Sequence, residues 1–301
     1  MLPRVSVIIP SFNSVQYLAD AVKSVNAQTY SAVECIVIDD GSTDRTTALL
    51  EDLSTLYPGL RMLRKANGGP SSARNMGLSH CTGQFVSFLD ADDLLLPNKI
   101  ERQVAFLNAH PDIGFVYGDY LVVAENLREM ALFTAEMPRE LDPVEAFCYR
   151  NWFNPLAPLI RRTVVDGVGW FNEELKSAED WDYWIRCAKV ARLAYLAGPV
   201  GLYRQHGGQI HRDSLRMRRA CIEVAMKHFC NNRKRLWTAM AAIELTHGRN
   251  LWRRHERAAA FVSLMKFGTM ALFGLDIRRQ LEIVGRAQLK PIGQGNLETI
   301  P

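Results

Sequence analysis

The chain has 301 residues, which allows one large domain or two modest ones. Hydrophobic residues make up 48% and charged residues 23%, which excludes a disordered chain, a collagen and a coiled-coil rod. The net charge of +4 hides an asymmetry: from Arg204 onward the chain carries 18 basic and 7 acidic residues, against 18 and 25 before it, so the tail invites an anionic partner.

The first 120 residues alternate short β-branched runs with helical patterns. The strands expected are 5–10, 33–39, 60–64, 84–90 and 113–117, and the helices expected between them are 14–27, 43–56, 71–81 and 97–109. Runs such as Val5-Ser6-Val7-Ile8-Ile9 and Cys35-Ile36-Val37-Ile38 predict an α/β fold with a mostly parallel sheet covered on both faces. Gly68-Gly69-Pro70 reads as a turn with proline in a helix's first turn. Residues 118–178 are irregular, and specificity is expected to be decided there, around Trp152, Phe153 and Asn154. A helix follows at 179–190, with Trp181, Trp184, Ile185 and Ala188 as its apolar stripe. Short strands at 193–196 and 200–204 come next, and a basic helical region from about Arg212.

Six cysteines without a CxxC pair predict reduced thiols rather than disulfides or a zinc site. The N-terminus runs directly into a strand pattern, which predicts no signal peptide. The apolar stretch 260–275 is interrupted by Lys266 and falls short of the roughly 20 residues a membrane span needs. GxGxxG, GxxxxGK[ST], HExxH and GxSxG are all absent.

In such sheets ligands collect beyond the carboxyl ends of the strands. The second strand ends in Asp39-Asp40-Gly41-Ser42-Thr43-Asp44. Ser42 or Thr43 reads as a helix N-cap and Asp44 as a first-turn acid. Of the two preceding acids, one is expected to be buried and the other free to accept from a ligand N–H. The fourth strand ends in Asp90-Ala91-Asp92-Asp93, whose carboxylates repel one another unless a cation is present and suit Mg2+ or Mn2+. Arg74, in the first turn of the 71–81 helix, opposes the helix dipole and is expected to find a phosphate or an aspartate. Asp182 and Arg186 are spaced as a surface i,i+4 pair, and Asp180 borders the buried side of its helix.

Taken together, VSVIIPSFN, ECIVIDDGSTD, NGGPSSARNMGL and FVSFLDADD, in this order, resemble the GT-A-fold glycosyltransferases of family 2 over about residues 4–210. The resemblance implies a GT-A (Rossmann-like) domain over 1–210, with a nucleotide-sugar-binding half at 1–120 and an acceptor half at 121–210. The basic helical region is then 211–301. It implies that Pro10, Phe12 and Asn13 line the base and ribose pocket, that Asp40 accepts from the base, and that Arg74 lies near the base or diphosphate. Asp90-Ala91-Asp92 matches the DxD motif, with Asp90 near the ribose and Asp92 on a Mg2+ or Mn2+ ion. Asp180, in Ala178-Glu179-Asp180, matches the family's general base, and His206 resembles a histidine that completes the metal site, with His211 the weaker candidate.

The activity implied is metal-dependent, inverting transfer of one sugar from a UDP- or dTDP-sugar to a saccharide or lipid-linked acceptor. The QxxRW motif of processive enzymes is absent. The alternatives are a nucleotidyltransferase that makes sugar nucleotides and a non-catalytic sugar-nucleotide-binding protein. The expected setting is cytoplasmic, with the basic tail on the anionic inner face of a membrane, and no nucleic-acid partner.

Overall fold

The computed structural model describes residues 2–207, 209, 213–271, 283 and 289–291. Its first half alternates β1 (Val5–Ser11), α1 (Leu18–Asn26), β2 (Val33–Asp39), α2 (Thr46–Leu56), β3 (Leu60–Arg64), α3 (Pro70–His80) and β4 (Phe85–Phe88). Val5, Val7, Ile8 and Ile9 of β1 are fully buried, as a central strand covered on both faces requires. β1 pairs in parallel with β2 and β4, and β2 pairs in parallel with β3. All these strands point their carboxyl ends to one edge.

The second half contains β5 (Leu94–Leu95), α4 (Lys99–Ala109), β6 (Ile113–Ala124), β7 (Glu129–Phe133), α5 (Pro143–Ala146), β8 (Leu159–Arg161), α6 (Arg162–Val168), α7 (Glu179–Val190) and β9 (Arg192–Gln205). The C-terminal elements are α8 (Ser214–Phe229), α9 (Arg233–Arg253), α10 (Arg257–Ala271) and β10 (Leu289–Pro291). The sheet runs β10-β7-β6-β8-β4-β1-β2-β3, with β9 parallel to β6 and antiparallel to β5. It is mixed but mostly parallel. β8 inserts antiparallel between β4 and β6 and so joins the two halves.

Several boundaries differ from the sequence pattern, for local polar reasons. The 14–27 and 43–56 patterns become helical only at Leu18 and Thr46. Ser42 and Thr43 do not cap α2. Instead the Ser42 hydroxyl accepts from Asn13 N at 2.9 Å, and Asp44 Oδ1 accepts from Thr46 N at 2.9 Å. α3 begins at Pro70, on Gly69 at φ 88°, so Arg74 lies one residue further into the helix than expected, and it is buried. The 84–90 strand ends at Phe88 because the chain turns through Asp90–Asp93, with Asp93 N donating to Asp90 O at 3.1 Å. The expected strands 193–196 and 200–204 are one strand, β9, bent at Gly198 (φ 97°), whose N–H donates to buried Asp119 at 3.1 Å.

The basic tail is built into the fold. Val224, Ala225 and Phe229 of α8, with Ala239 and Ile243 of α9, join the main hydrophobic core. Asp182 is fully buried, not at the surface as its spacing suggests. It accepts from Arg186 at 2.9 Å on its own helix and from Lys227 at 2.9 Å and His228 at 2.8 Å on α8. Burial alone would raise its pKa, but these hydrogen bonds and charges hold it well below the ordinary carboxylate range. Several of the tail's cations are likewise committed: Arg216 to Lys176 O at 2.5 Å, Arg235 to Asp142 at 2.9 Å, and Arg218 to Glu244. His211 lies outside the described residues.

Lys99 is fully buried and has no carboxylate partner among the described residues. Its Nζ donates to Gln103 Oε1 at 2.8 Å, Ser87 Oγ at 2.9 Å and Pro158 O at 3.2 Å. Burial pulls its pKa from 10.5 down to about 7. Between those two values the unfolded chain binds the extra proton, so this lysine's contribution to stability rises with pH across the window. The difference in unfolding free energy between wild type and Lys99→Met, from denaturant melts, should therefore shift in favour of wild type as pH rises from about 7 towards 10.5. A difference independent of pH would refute the burial of a charged-state-averse lysine here.

Candidate active site

The crevice lies where β1, β2 and β4 end. Beyond β1, Phe12 is 47% exposed, a ring face open at the mouth. Asn13 takes the left-handed conformation (φ 49°), and its Oδ1 accepts from Thr43 N at 2.8 Å and Asp44 N at 3.3 Å. Its amide thus fastens the loop after β2. Pro10, half-buried, is the last but one residue of β1.

At the end of β2 both acids are buried, so the expectation of one free carboxylate is corrected. Asp39 accepts from Ser42 N at 2.9 Å and from the Thr47 hydroxyl at 2.7 Å. Asp40 accepts from Lys65 Nζ at 2.9 Å, from Gly68 N at 3.0 Å and from Gly69 N at 2.7 Å. The two aspartates therefore hold the loops on either side of them. Gly41 (φ 77°) follows them, and a Cβ there would come within 2.8 Å of Asn67 N.

The three acids after β4 face three different partners. Asp90, about a third exposed, accepts from Arg74 at 2.7 Å. Asp92 Oδ2 lies 2.8 Å from His206 Nε2 in a hydrogen bond. Asp93 turns inward and accepts from Arg204 N at 2.9 Å, while its other oxygen has no partner. Burial, and then the charges of Asp92 and Asp90, push the Asp93 carboxyl well above its usual range, which suits a protonated structural acid.

Arg74 is the hinge between the halves. It is 3% exposed and donates at 2.7 Å to Asp90 on one side and at 2.7 Å to Glu179 on the other. Its guanidinium also lies 5.4 Å from the Phe171 ring centroid. One residue on, Asn75 clamps the approach to α7: its Oδ1 accepts from Phe171 N at 2.7 Å and its Nδ2 donates to Glu173 at 2.8 Å. Phe88 of β4 meets Phe171 edge-on at 5.1 Å and Tyr183 at 6.2 Å. Such pairs contribute about 0.5–1.5 kcal/mol each beyond area burial.

Asp180 follows Glu179 at the start of α7. Ala178 before it is in the left-handed conformation (φ 57°), a strained position for alanine that turns the chain sharply into the helix. Asp180 Oδ1 accepts from Trp181 N at 2.7 Å and Oδ2 from Asn151 at 2.8 Å. Burial, and then the Glu179 carboxylate, push its pKa well above the ordinary carboxylate range, against the pull of Arg74. A half-buried acid of this kind can take a proton at neutral pH.

His206 is held by more than Asp92. Its ring lies 4.7 Å from that of Tyr17, whose hydroxyl donates to Glu125 at 2.6 Å. Arg204 covers the same tyrosine at 4.8 Å and pairs with Asp20 at 2.8 Å. Tyr17 and Asn151 are functional-site neighbours that no sequence motif marked, and Asn75 lies within NGGPSSARNMGL without a role legible there, because each acts on a residue more than 25 positions away. Conversely, Trp152 and Phe153 are core residues. Trp152 donates to Ala146 O at 2.8 Å, and Phe153 stacks on Tyr117 at 4.5 Å.

Among the described residues no group of three or more His, Cys, Asp or Glu side chains is arranged to hold a metal. Asp92 and His206 nonetheless form a carboxylate–imidazole pair, partly exposed at 25% and 13%. A cation bound with substrate phosphates needs few protein ligands, so this donor set fits a divalent ion such as Mg2+ or Mn2+.

The model of glycosyl transferase family 2 matches residues 6–168. An uncharacterized glycosyltransferase of Rickettsia typhi is 31% identical over 219 residues, covering 71% of this chain and 67% of its own length. One from Rickettsia felis is 31% identical over 198 residues, and the chain spans 33% of that relative's length and 28% of a similar one from Rickettsia bellii. Among solved structures, residues 1–349 of S. aureus TarS in complex with UDP-GlcNAc superpose with a TM-score of 0.65 at 21% identity, covering 89% of this chain and 81% of that one. The mannosyltransferase from Pyrobaculum calidifontis in complex with GDP-Man and Mn2+ gives 0.64 at 21% identity, covering 95% and 80%. These likenesses show the GT-A fold.

Replacing Arg74 by Gln would leave Asp90 and Glu179 facing each other without their shared cation. Stability should fall by about 3 kcal/mol, the low end for breaking a buried pair because Asp90 is partly solvated. A loss under about 1 kcal/mol in denaturant titration, the worth of an exposed pair, would mean that the bridge is not a structural constraint.

Proposed function

The chain belongs to glycosyl transferase family 2, and on that premise we propose that it catalyses metal-dependent, inverting transfer of a single sugar from a UDP- or dTDP-sugar to a hydroxyl of a saccharide or lipid-linked acceptor. The observation that carries this reading is Asp180: a carboxylate of raised pKa, oriented by Asn151 and the Trp181 amide, and joined through Glu179 and Arg74 to the acids after β4.

The donor contacts proposed are Pro10, Phe12, Asn13, Asp40 and Asp90, with Arg74 holding Asp90 in position. The exposed ring of Phe12 offers a stacking face for the base, and Asp40 sets the Gly68–Gly69 backbone. Asp92 and His206 would hold the cation, which as a Lewis acid stabilises charge on the departing diphosphate. The acceptor hydroxyl attacks the anomeric carbon from the face opposite the diphosphate and gives its proton to Asp180. The anomeric C–O bond breaks as the new one forms, and the nucleoside diphosphate leaves with the bonding pair. A single base on the acceptor side suits inversion. A nucleotidyltransferase would release pyrophosphate instead, so identifying the leaving product separates the two, and absence of donor turnover would favour a binding protein.

With donor identified from a panel of sugar nucleotides, Asp180→Asn should slow transfer by about 10²–10⁴-fold, the usual worth of a general base, with little change in donor affinity. Because the Asp180 pKa is raised, the ionised base is lost as pH falls through that raised value. The acid limb of the wild-type rate should therefore lie nearer neutrality than an ordinary carboxylate gives. Asp92→Ala and excess chelator should each abolish most turnover. A folded Asp180→Asn enzyme within a few-fold of wild type would move the base elsewhere, and full activity in chelator would remove the cation.

A peripheral membrane site on the basic tail is proposed as well. No described helix is long and apolar enough to cross a membrane. The α9–α10 pair, however, exposes Trp252, Phe261, Val262 and Met265 beside the exposed cations Arg253, Arg257 and Lys266. Basic residues near an acidic surface contribute about 1 kcal/mol each, and apolar side chains add burial. The chain should sediment with anionic vesicles at low salt, less so at high salt, and less with Trp252→Glu and Phe261→Glu together. Equal sedimentation with neutral vesicles, or none at all, would discard this surface.

A further inference from the structure

Several buried or half-buried arginines of this domain have a carboxylate or carbonyl partner: Arg74 pairs with Asp90 and Glu179, Arg204 with Asp20, Arg186 with Asp182, and Arg102 donates to the Pro199 and Ala197 carbonyls. Arg150 differs. Among the described residues no carboxylate lies within ion-pair distance of it, and its one hydrogen bond is a long one, Nε to Asn151 O at 3.4 Å. Its guanidinium lies between aromatic faces, 5.4 Å from the Phe133 centroid and 5.5 Å from that of Trp152. Burial draws its pKa below the ordinary arginine range. The residue is half-buried rather than sealed from solvent, so an anion can reach a guanidinium that has no ion-pair partner among the described residues.

The neighbours indicate which one. Phe133 stacks on Tyr120 at 4.4 Å, and Tyr120 feels the charges of Arg150, Asp93 and Asp180 together. Arg150 is linked to the candidate base through its neighbour in the chain, Asn151, whose backbone carbonyl accepts from Arg150 Nε and whose side chain reaches Asp180. Asn151 donates to Asp180, yet its own Oδ1 is buried with no partner among the described residues. Both amide atoms of Asn154 are buried and unpartnered in the same way. An unmatched cation and three unfilled amide atoms thus lie within five residues, on the acceptor side of Asp180.

The geometry points to an acceptor subsite, formed by Arg150, Asn151 and Asn154, that takes a phosphate or carboxylate carried by the acceptor. This rests on the reading of Asp180 as the base. The planar guanidinium pairs bidentately with such an anion, and the amides bind sugar hydroxyls. A neutral acceptor leaves the Arg150 guanidinium without an anion to pair with, which is how a polar site disfavours an analogue lacking the matching group.

The test uses the full chain with its identified donor and cation. Glucose, glucose 6-phosphate, glucuronate and a glucose linked to a short prenyl diphosphate are compared as acceptors and, because an occupant displaces the attacking water, as inhibitors of donor hydrolysis. Charged probes should act at concentrations at least about tenfold below glucose, as for a hydrogen bond to a charged group. In Arg150→Gln that ratio should collapse towards one, and Arg150→Lys should restore part of it. The prenyl-linked arm separates a lipid-borne diphosphate from a soluble anion. Equal action of charged and neutral probes on wild type, including no action by either, overturns the proposal even if Arg150→Gln fails to fold. Wild type that turns over no donor instead overturns the transferase reading itself.

Discussion

The site depends on one buried guanidinium. Arg74 leaves α3 and donates at once to Asp90, at the end of the parallel half, and to Glu179, at the start of the helix carrying Asp180. Burying an arginine is favourable only when its donors are matched, so two carboxylates from distant parts of the chain must converge on it. That requirement sets the width of the crevice. It also orders the charges: each of the acids Asp90, Asp92 and Asp93 has its own partner, and the turn tolerates three carboxyl groups without their mutual repulsion opening it.

Apolar packing holds the same two parts together from below. Phe88 sits two residues before Asp90, and its ring contacts Phe171, Tyr183 and Trp184, the last two on the Asp180 helix. Phe171 and Tyr183 stack at 3.9 Å. On the outer side, Asp182 ties α7 to α8 through Lys227 and His228. The Asp180 helix is thus fixed on three sides, by Arg74, by the aromatic cluster and by the basic tail. A catalytic carboxylate gains from such rigidity, because the reacting geometry tolerates little displacement.

The acidic residues illustrate how environment assigns roles within one short helix. Glu179, Asp180 and Asp182 lie within four positions. Glu179 is matched by Arg74, and Asp182 by two cations and a histidine, which hold it ionised. Asp180 receives two neutral hydrogen bonds and an unfavourable neighbouring charge, so it alone binds a proton readily. The basic tail divides likewise: part of its charge is consumed in holding α8 and α9 on the domain, while other cations, Arg253, Arg257 and Lys266 among them, stay exposed.

The sequence by itself determined the order of strands and helices through residue 120, the positions of Asp90, Asp92 and Asp180, and the family, because these rest on local periodicity and contiguous motifs. It misjudged helix starts near 14 and 43, where polar side chains bond across loops instead of capping. It read Asp40 as half of an open pair and Asp182 as a surface residue, and it assigned Trp152 and Phe153 to recognition. Only the tertiary structure decided these. Whether a carboxylate is free or matched depends on cations brought from elsewhere: Lys65 to Asp40, Lys227 and His228 to Asp182, Arg74 to Asp90. The same holds for Arg150, whose significance lies in the lack, among the described residues, of a carboxylate within ion-pair distance. Spacing records which residues are neighbours along the chain, whereas burial and charge matching are properties of neighbours in space.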